Sequence, residues 1–182
     1  FLLLGLSLAI GSSYIWGDYG GVTCSRRLTW SPDRRAFGWA WLTIWGWTVV
    51  SIFAQLGGVA LQWEDVRPSF VANALMGTAH GLCAPWAFFF GAPTAPDKRR
   101  PFAMAAVLLV SSATLAVAGL AEAAVMRGPD RSTARALLVA APYALFAGWM
   151  CVASALNIGI VALQDLGRTP RRPLVVDETE GT

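Results

Sequence analysis

Charged residues are scarce in this chain. Only 14% of its 182 residues are Asp, Glu, Lys or Arg, against about 25% in soluble globular domains. A soluble protein of this length needs a polar surface, and so few charges cannot supply one. The charges are also clustered, which leaves long apolar stretches between them, as in membrane proteins.

Other absences exclude classes of function. The chain has three cysteines and one histidine, and their spacing matches no zinc site. It has no Ser-His-Asp set with a buried acid, no paired carboxylates in an apolar stretch and no Gly-rich phosphate loop. No basic stripe interleaves with exposed aromatic residues, so nucleic acid is not an expected partner. The sequence therefore predicts no catalytic residues, and we expect a protein that is not an enzyme.

Five apolar stretches run along the chain, with short loops between them. They cover residues 1–16, 36–61, 69–91, 102–125 and 133–164. Transmembrane strands would alternate apolar and polar residues, and these stretches do not. The sequence therefore predicts an all-α membrane protein, a single five-transmembrane-helix bundle over residues 1–164, followed by a polar C-terminal tail over 165–182. Because the chain does not begin with Met, we expect its N-terminus to have been lost to processing or trimming.

Basic residues indicate the orientation in the membrane. Five spans place the two termini on opposite faces, and ten of the 14 Lys and Arg residues fall on the face that holds the C-terminus. The positive-inside rule puts that face on the cytoplasmic or an equivalent side. The expected location is a bacterial inner membrane or an organelle membrane, with membrane lipids as direct partners.

Tryptophans concentrate at the start of the second stretch, where residues 30–47 contain five of the nine in the chain. Phe37, Trp41 and Trp45 are spaced by four residues and so share one helical face. Tryptophans at this position suit anchoring at a membrane interface. They also suit a pocket for a flat apolar ligand, which we favour because one set faces the bundle interior.

Polar residues within the later stretches give further candidates. Asn157 shares a helical face with Trp149 and Ala153, and it either forms an interhelical hydrogen bond or contacts a ligand. His80 lies within the third stretch, where its imidazole either ligates the metal of a haem or chlorophyll or packs as a hydrogen-bonded residue.

Proline and glycine predict where the helices bend and approach one another. Pro85 and Pro142 each remove a helical hydrogen bond and should kink the third and fifth helices. Glycines along the second stretch should permit close helix contact. These are Gly38, Gly46, Gly57 and Gly58.

Two motifs resemble the signatures of the TspO/MBR family, the tryptophan-rich sensory or translocator proteins. The family pattern W-x-P-P-x-W-x-F-x-x-V-W-x-x-L-Y is matched in spacing by Trp30, Pro32, Phe37 and Trp41. Asp33 replaces its second Pro, and Arg35 its middle Trp. The pattern W-x-x-x-A-x-x-L-N is matched without a gap by Trp149, Ala153, Leu156 and Asn157. The third stretch ends in A-P-W-A-F-F-F-G, which is similar to the family's W-S-x-x-F-F-G.

The resemblance implies a divergent member with a five-helix bundle, often a homodimer, and a cavity beneath the loop that joins the first two helices. Members bind porphyrins, haem and sterols. By position, the residues expected to line the cavity are Phe37, Trp41, Trp45, Trp149, Ala153 and Asn157. Arg34 or Arg35 could meet a propionate carboxylate. The alternative function is a structural accessory subunit of a large respiratory or photosynthetic complex, with lipids or pigments in its grooves.

Overall fold

The described residues form five rod-shaped helical elements. The structure is a computed structural model, and it describes residues 2–16, 34–63, 66, 69–91, 102–125 and 132–162. We number the rods α1 to α5 in chain order. α1 is Leu2–Trp16, α2 is Arg34–Ala60, α3 comprises Phe70–Gly81 and Cys83–Gly91, α4 is Phe102–Val125 and α5 is Thr133–Ile160. The described residues contain no strand, which confirms the prediction of an all-α protein.

Within the described ranges, three helices are long and apolar enough to cross a membrane. They are Phe37–Ala60 with 24 residues, Phe102–Val125 with 24 and Thr133–Ile160 with 28, where a span needs about 20. Large apolar side chains cover the outside of these helices; Phe53, for example, is 69% exposed. Both observations indicate a membrane-embedded protein.

The other two predicted spans are shorter as continuous helices. α1 has 15 residues, which corresponds to about 22 Å. α3 is interrupted by a turn at Leu82 into segments of 12 and 9 residues. The cause is Pro85, whose missing N–H leaves the carbonyl of Gly81 without its helical donor. The amide of Leu82 still bonds to Thr78, at 3.0 Å, so the first segment runs directly into the turn.

α5 begins irregularly. After one turn it forms a π-helix over Ala136–Ala140, in which the amide of Ala141 donates to the carbonyl of Ala136, five residues back. In that register the carbonyl of Leu137 would need an N–H from residue 142, which is proline. The indole Nε1 of Trp47 on α2 donates to this carbonyl instead, at 3.0 Å. The helix is thus irregular next to Pro142, near the predicted kink, and the carbonyl released there accepts a hydrogen bond that joins α2 to α5.

The rods pack side by side in the order α1, α3, α4, α5 and α2, and only a few contacts join α2 back to α1. α1 and α3 approach most closely at glycine, because a Cβ on Gly5 would overlap the carbonyl oxygen of Gly77. On α2 the described residues show no close helix contact at three of the four predicted glycines, since nothing lies within 4 Å of a Cβ built on Gly38, Gly46 or Gly57. The fourth, Gly58, is closely packed, but against Val66 in the segment that follows α2 and not against another rod. α2 meets its neighbours through bulky side chains instead.

The tail 165–182 and the residues of the basic loops lie outside the described part of the chain. The predicted orientation in the membrane and the location therefore stay predictions.

Candidate ligand-binding site

α2 and α5 bring four of the predicted aromatic side chains into one group, the aromatic cluster of Phe37, Trp41, Trp45 and Trp149. The ring of Trp41 lies 5.1 Å from that of Trp45 and 6.1 Å from that of Trp149 between centroids. Phe37 contacts Trp149 at 5.4 Å. These separations are those of aromatic rings in direct contact. The four-residue spacing on α2 puts its three rings on one helical face, and Phe37 and Trp41 contact Trp149 of α5 from that face.

A fifth aromatic residue, Trp86, joins the cluster from α3. Its ring lies 6.2 Å from Trp41 and is stacked on Phe90 at 5.3 Å, and it is only 2% exposed. Sequence analysis did not assign Trp86 to the site. Its position immediately after Pro85, in the segment similar to the family's third-span ending, is the signal that could have found it.

Asn157 holds the base of the cluster through hydrogen bonds within the protein. Its Oδ1 accepts from the indole Nε1 of Trp86 at 3.4 Å, and its Nδ2 donates to the carbonyl of Ala153 at 3.1 Å. Both residues of α5 are buried, with 4% exposure each. Of the two roles left open for Asn157, the geometry favours the interhelical hydrogen bond.

Three indole N–H groups of the aromatic cluster lack an acceptor. The Nε1 atoms of Trp41, Trp45 and Trp149 are buried and have no hydrogen-bond partner within the described residues. An unsatisfied buried donor costs about 1–3 kcal/mol, and apolar surroundings offer no water to offset it. The indoles of Trp47 and Trp86, by contrast, both have acceptors. Three unsatisfied donors of the described residues thus lie in one cluster.

The open space beside the cluster lies on its outer side. A groove of about 520 Å³ runs between α2 and α5, within the range of small-molecule sites. Its lining includes Trp39, Thr43, Gly148 and Trp149, so one ring of the cluster also forms a wall of the groove. The sequence predicts a hollow inside the bundle, whereas the rings of the aromatic cluster contact one another between α2 and α5 because they are large enough to meet there. The predicted cavity beneath the loop after α1 involves residues 17–33, outside the described range.

Arg34 and Arg35 begin α2, but their side chains lie outside what the structure describes. Their predicted contact with a ligand carboxylate stays a prediction.

His80 lies apart from the aromatic cluster. Its ring is fully buried and stacked on Phe146, with centroids 3.7 Å apart and planes inclined by 18°. Neither ring nitrogen has a hydrogen-bond partner among the described residues. No group of three His, Cys, Asp or Glu side chains that could hold a metal ion occurs in that part of the chain. The stacking favours a packing role, and metal ligation stays a prediction that this geometry does not support.

Comparisons with known proteins identified no relative of this chain. No protein-family model matches the chain, and neither a curated protein nor a solved structure matches it. The resemblance to the TspO/MBR family therefore depends on the two motifs alone.

Proposed function

We propose that this chain is a TspO/MBR-like membrane protein that binds a flat hydrophobic ligand at the aromatic cluster. The ligand is a tetrapyrrole, such as haem or another porphyrin, or a sterol. The observation that carries the proposal is the set of three buried indole donors, on Trp41, Trp45 and Trp149, for which the described residues offer no acceptor. A ring system gains contact area on the indole faces, and its carboxylate, carbonyl or hydroxyl oxygens satisfy the donors.

The ligand enters from the groove between α2 and α5. Trp149 belongs to both the groove and the aromatic cluster, so a flat molecule in the groove lies against a ring whose N–H is unsatisfied. Gly148 adds no side chain to the groove floor, and a Cβ built on it would meet nothing within 4 Å. Slight separation of the rings then exposes the other two donors.

All five rods cross the membrane in this proposal, with the C-terminus on the cytoplasmic or equivalent side. The close glycine contact supports a shared depth for α1 and α3, since Gly5 and Gly77 meet backbone to backbone. The ten basic residues on the C-terminal face support the orientation. Labelling of a cysteine placed in the tail by a membrane-impermeant maleimide tests it. Modification without permeabilisation of intact cells would contradict it.

The test of ligand binding compares Trp149→Phe with Trp63→Phe. Phenylalanine keeps an aromatic ring but removes the N–H together with part of the ring surface, and the control Trp63 loses the same atoms. Trp63 lies beyond α2, 43% exposed, outside the cluster. Protein in lipid nanodiscs is titrated with protoporphyrin IX, with the Soret shift and tryptophan quenching as readouts. A hydrogen bond to a charged group contributes about 1.5–3 kcal/mol. Trp149→Phe should therefore weaken binding about tenfold or more, and Trp63→Phe should not.

The same variant makes a separate prediction for the unliganded protein. Trp149→Phe removes an unsatisfied donor, which offsets part of the ring packing lost on Phe37 and Trp41, so the melting temperature of the ligand-free protein should change little. The proposal fails if porphyrins cause no Soret shift or quenching and sterols show no saturable binding. It also fails if both variants bind porphyrin as tightly as the original chain.

A second candidate function is an accessory subunit of a large respiratory or photosynthetic complex. Two observations favour it: the rings of the cluster fill the space between the helices, and an apolar groove of about 520 Å³ faces outward between α4 and α5. Its lining includes six alanines, which let a partner helix or a pigment approach closely. Gentle solubilisation and native electrophoresis distinguish the two functions. Migration only as a monomer or homodimer would count against the subunit.

A further inference from the structure

A third groove, of about 320 Å³, lies between α1, α2 and α3. Its walls are apolar and include Leu3, Leu56 and Phe70, while its polar surface comes from two carboxamides, those of Gln55 and Asn73. Gln55 lies ten residues beyond Trp45 on α2, which corresponds to about 15 Å along the helix. This groove is therefore separate from the aromatic cluster.

The groove exists because α1 packs against α3 and leaves a gap between itself and α2. The glycine contact between Gly5 and Gly77 holds α1 against α3, and only a few contacts join α1 to α2. The gap that results is bordered by Ile52 and Leu56, which lie one turn apart on α2. The position follows from helix packing and does not depend on the tryptophans.

The two carboxamides belong to a hydrogen-bonded chain that crosses three helices. The hydroxyl of Tyr143 on α5 donates to Oδ1 of Asn73. Asn73 Nδ2 donates to Oε1 of Gln55 at 2.9 Å, and Gln55 Nε2 donates to the hydroxyl of Ser51 at 3.0 Å. These bonds fix the amide planes, so the groove carries polar groups in set positions.

Asn73 has a second amide hydrogen for which the described residues show no acceptor. A carboxamide nitrogen carries two hydrogens, and Asn73 uses one of them for Gln55. The side chain is half-buried and lines the groove, so the second hydrogen is available to a molecule that enters. In apolar surroundings water does not compete for this hydrogen.

We propose that this groove binds a lipid-soluble molecule that carries a carbonyl or hydroxyl oxygen on an apolar body. Its oxygen accepts from Nδ2 of Asn73, and its body lies between Leu56 and Phe70. The volume of about 320 Å³ is at the lower end for ligand sites, so the bound part is one or two rings or a short hydrocarbon segment. The site is independent of the porphyrin or sterol site proposed above.

Benzophenone is a suitable probe because it is a lipid-soluble ketone that cross-links to nearby C–H bonds when irradiated. Protein in nanodiscs is irradiated with increasing benzophenone, and the adducts are located by mass spectrometry. We expect saturable labelling of peptides that contain Leu3, Leu56 or Phe70. Benzhydrol, which has a hydroxyl, should compete, and diphenylmethane, which has no oxygen, should compete at least fivefold less well.

Two variants test the two parts of the proposal. Asn73→Leu removes the donor and should weaken saturable labelling about fivefold. Since it also breaks the bond from Tyr143, Leu56→Trp is the second variant; it fills the groove, leaves both carboxamides in place and should abolish the labelling. Leu42→Trp is its control, because Leu42 is similarly exposed on α2, at 58% against 53%.

Labelling spread over the lipid-facing residues, equal competition by both competitors, or full labelling of the Leu56→Trp variant would overturn the proposal. Trp149→Phe should leave benzophenone labelling unchanged. A failure of porphyrin binding and a failure of this site are therefore separate results.

Discussion

Gly5→Ala tests the packing that holds α1 in the bundle. A Cβ at this position would overlap the carbonyl oxygen of Gly77 and lie 3.1 Å from its Cα, whereas non-bonded carbons pack at about 3.5–4.0 Å. Both opposing groups are backbone, so no side chain can rotate away. The helices must separate, and we expect a loss at the upper end of the about 1–3 kcal/mol for overpacking.

The assay is thermal unfolding in detergent, followed by tryptophan fluorescence. For a chain of this length 1 kcal/mol corresponds to about 2–4 °C, so Gly5→Ala should lower the melting temperature by about 6–12 °C. Gly11→Ala on the same helix is the control, because its Cβ would meet nothing within 4 Å. Gly81→Ala, whose Cβ would be 3.9 Å from the Cα of Gly5, should also be tolerated. Equal melting temperatures for the Gly5 and Gly11 variants would refute the packing.

Two further substitutions test the links between helices by the same melting assay. Trp47→Phe removes the donor to the carbonyl of Leu137 and should lower the free energy of unfolding by about 1 kcal/mol. Its control is Trp39→Phe, at a residue 66% exposed, which should cause no measurable loss of stability. An unchanged melting temperature for the Trp47 variant would show that the carbonyl finds another donor. Tyr143→Phe leaves Oδ1 of Asn73 without its donor and should cost about 1–3 kcal/mol; a stability equal to that of the original chain would contradict the three-helix hydrogen-bonded chain.

The helices could be predicted from the sequence because long apolar runs without charge leave few alternatives. The interruption of α3 followed from Pro85, since a missing N–H is a property of the residue itself. The π-helix before Pro142 and the bond from Trp47 did not follow. They depend on how α2 sits against α5, which the local sequence does not specify.

The candidate site was predictable only where spacing along one helix decides it. Phe37, Trp41 and Trp45 share a face because of their four-residue spacing. Trp86 could not be placed in this way, because its contact with Trp41 depends on the rotation of α3. Helices that are apolar all round give no sign of which side faces the bundle. For the same reason the glycines of α2 were misassigned, and the contact at Gly5 was missed.

The central claim is that the buried indole N–H groups of Trp41, Trp45 and Trp149, which have no acceptor among the described residues, donate hydrogen bonds to oxygen atoms of a bound ligand. The most direct measurement is the ¹⁵N–¹H NMR spectrum of the indoles in nanodiscs during titration with protoporphyrin IX, with signals assigned by single Trp→Phe variants. The account predicts that the signals of Trp41, Trp45 and Trp149 move downfield as they gain an acceptor, while that of Trp63 stays in place. Shifts confined to Trp63, or no shift in these three signals at saturating porphyrin, would contradict it.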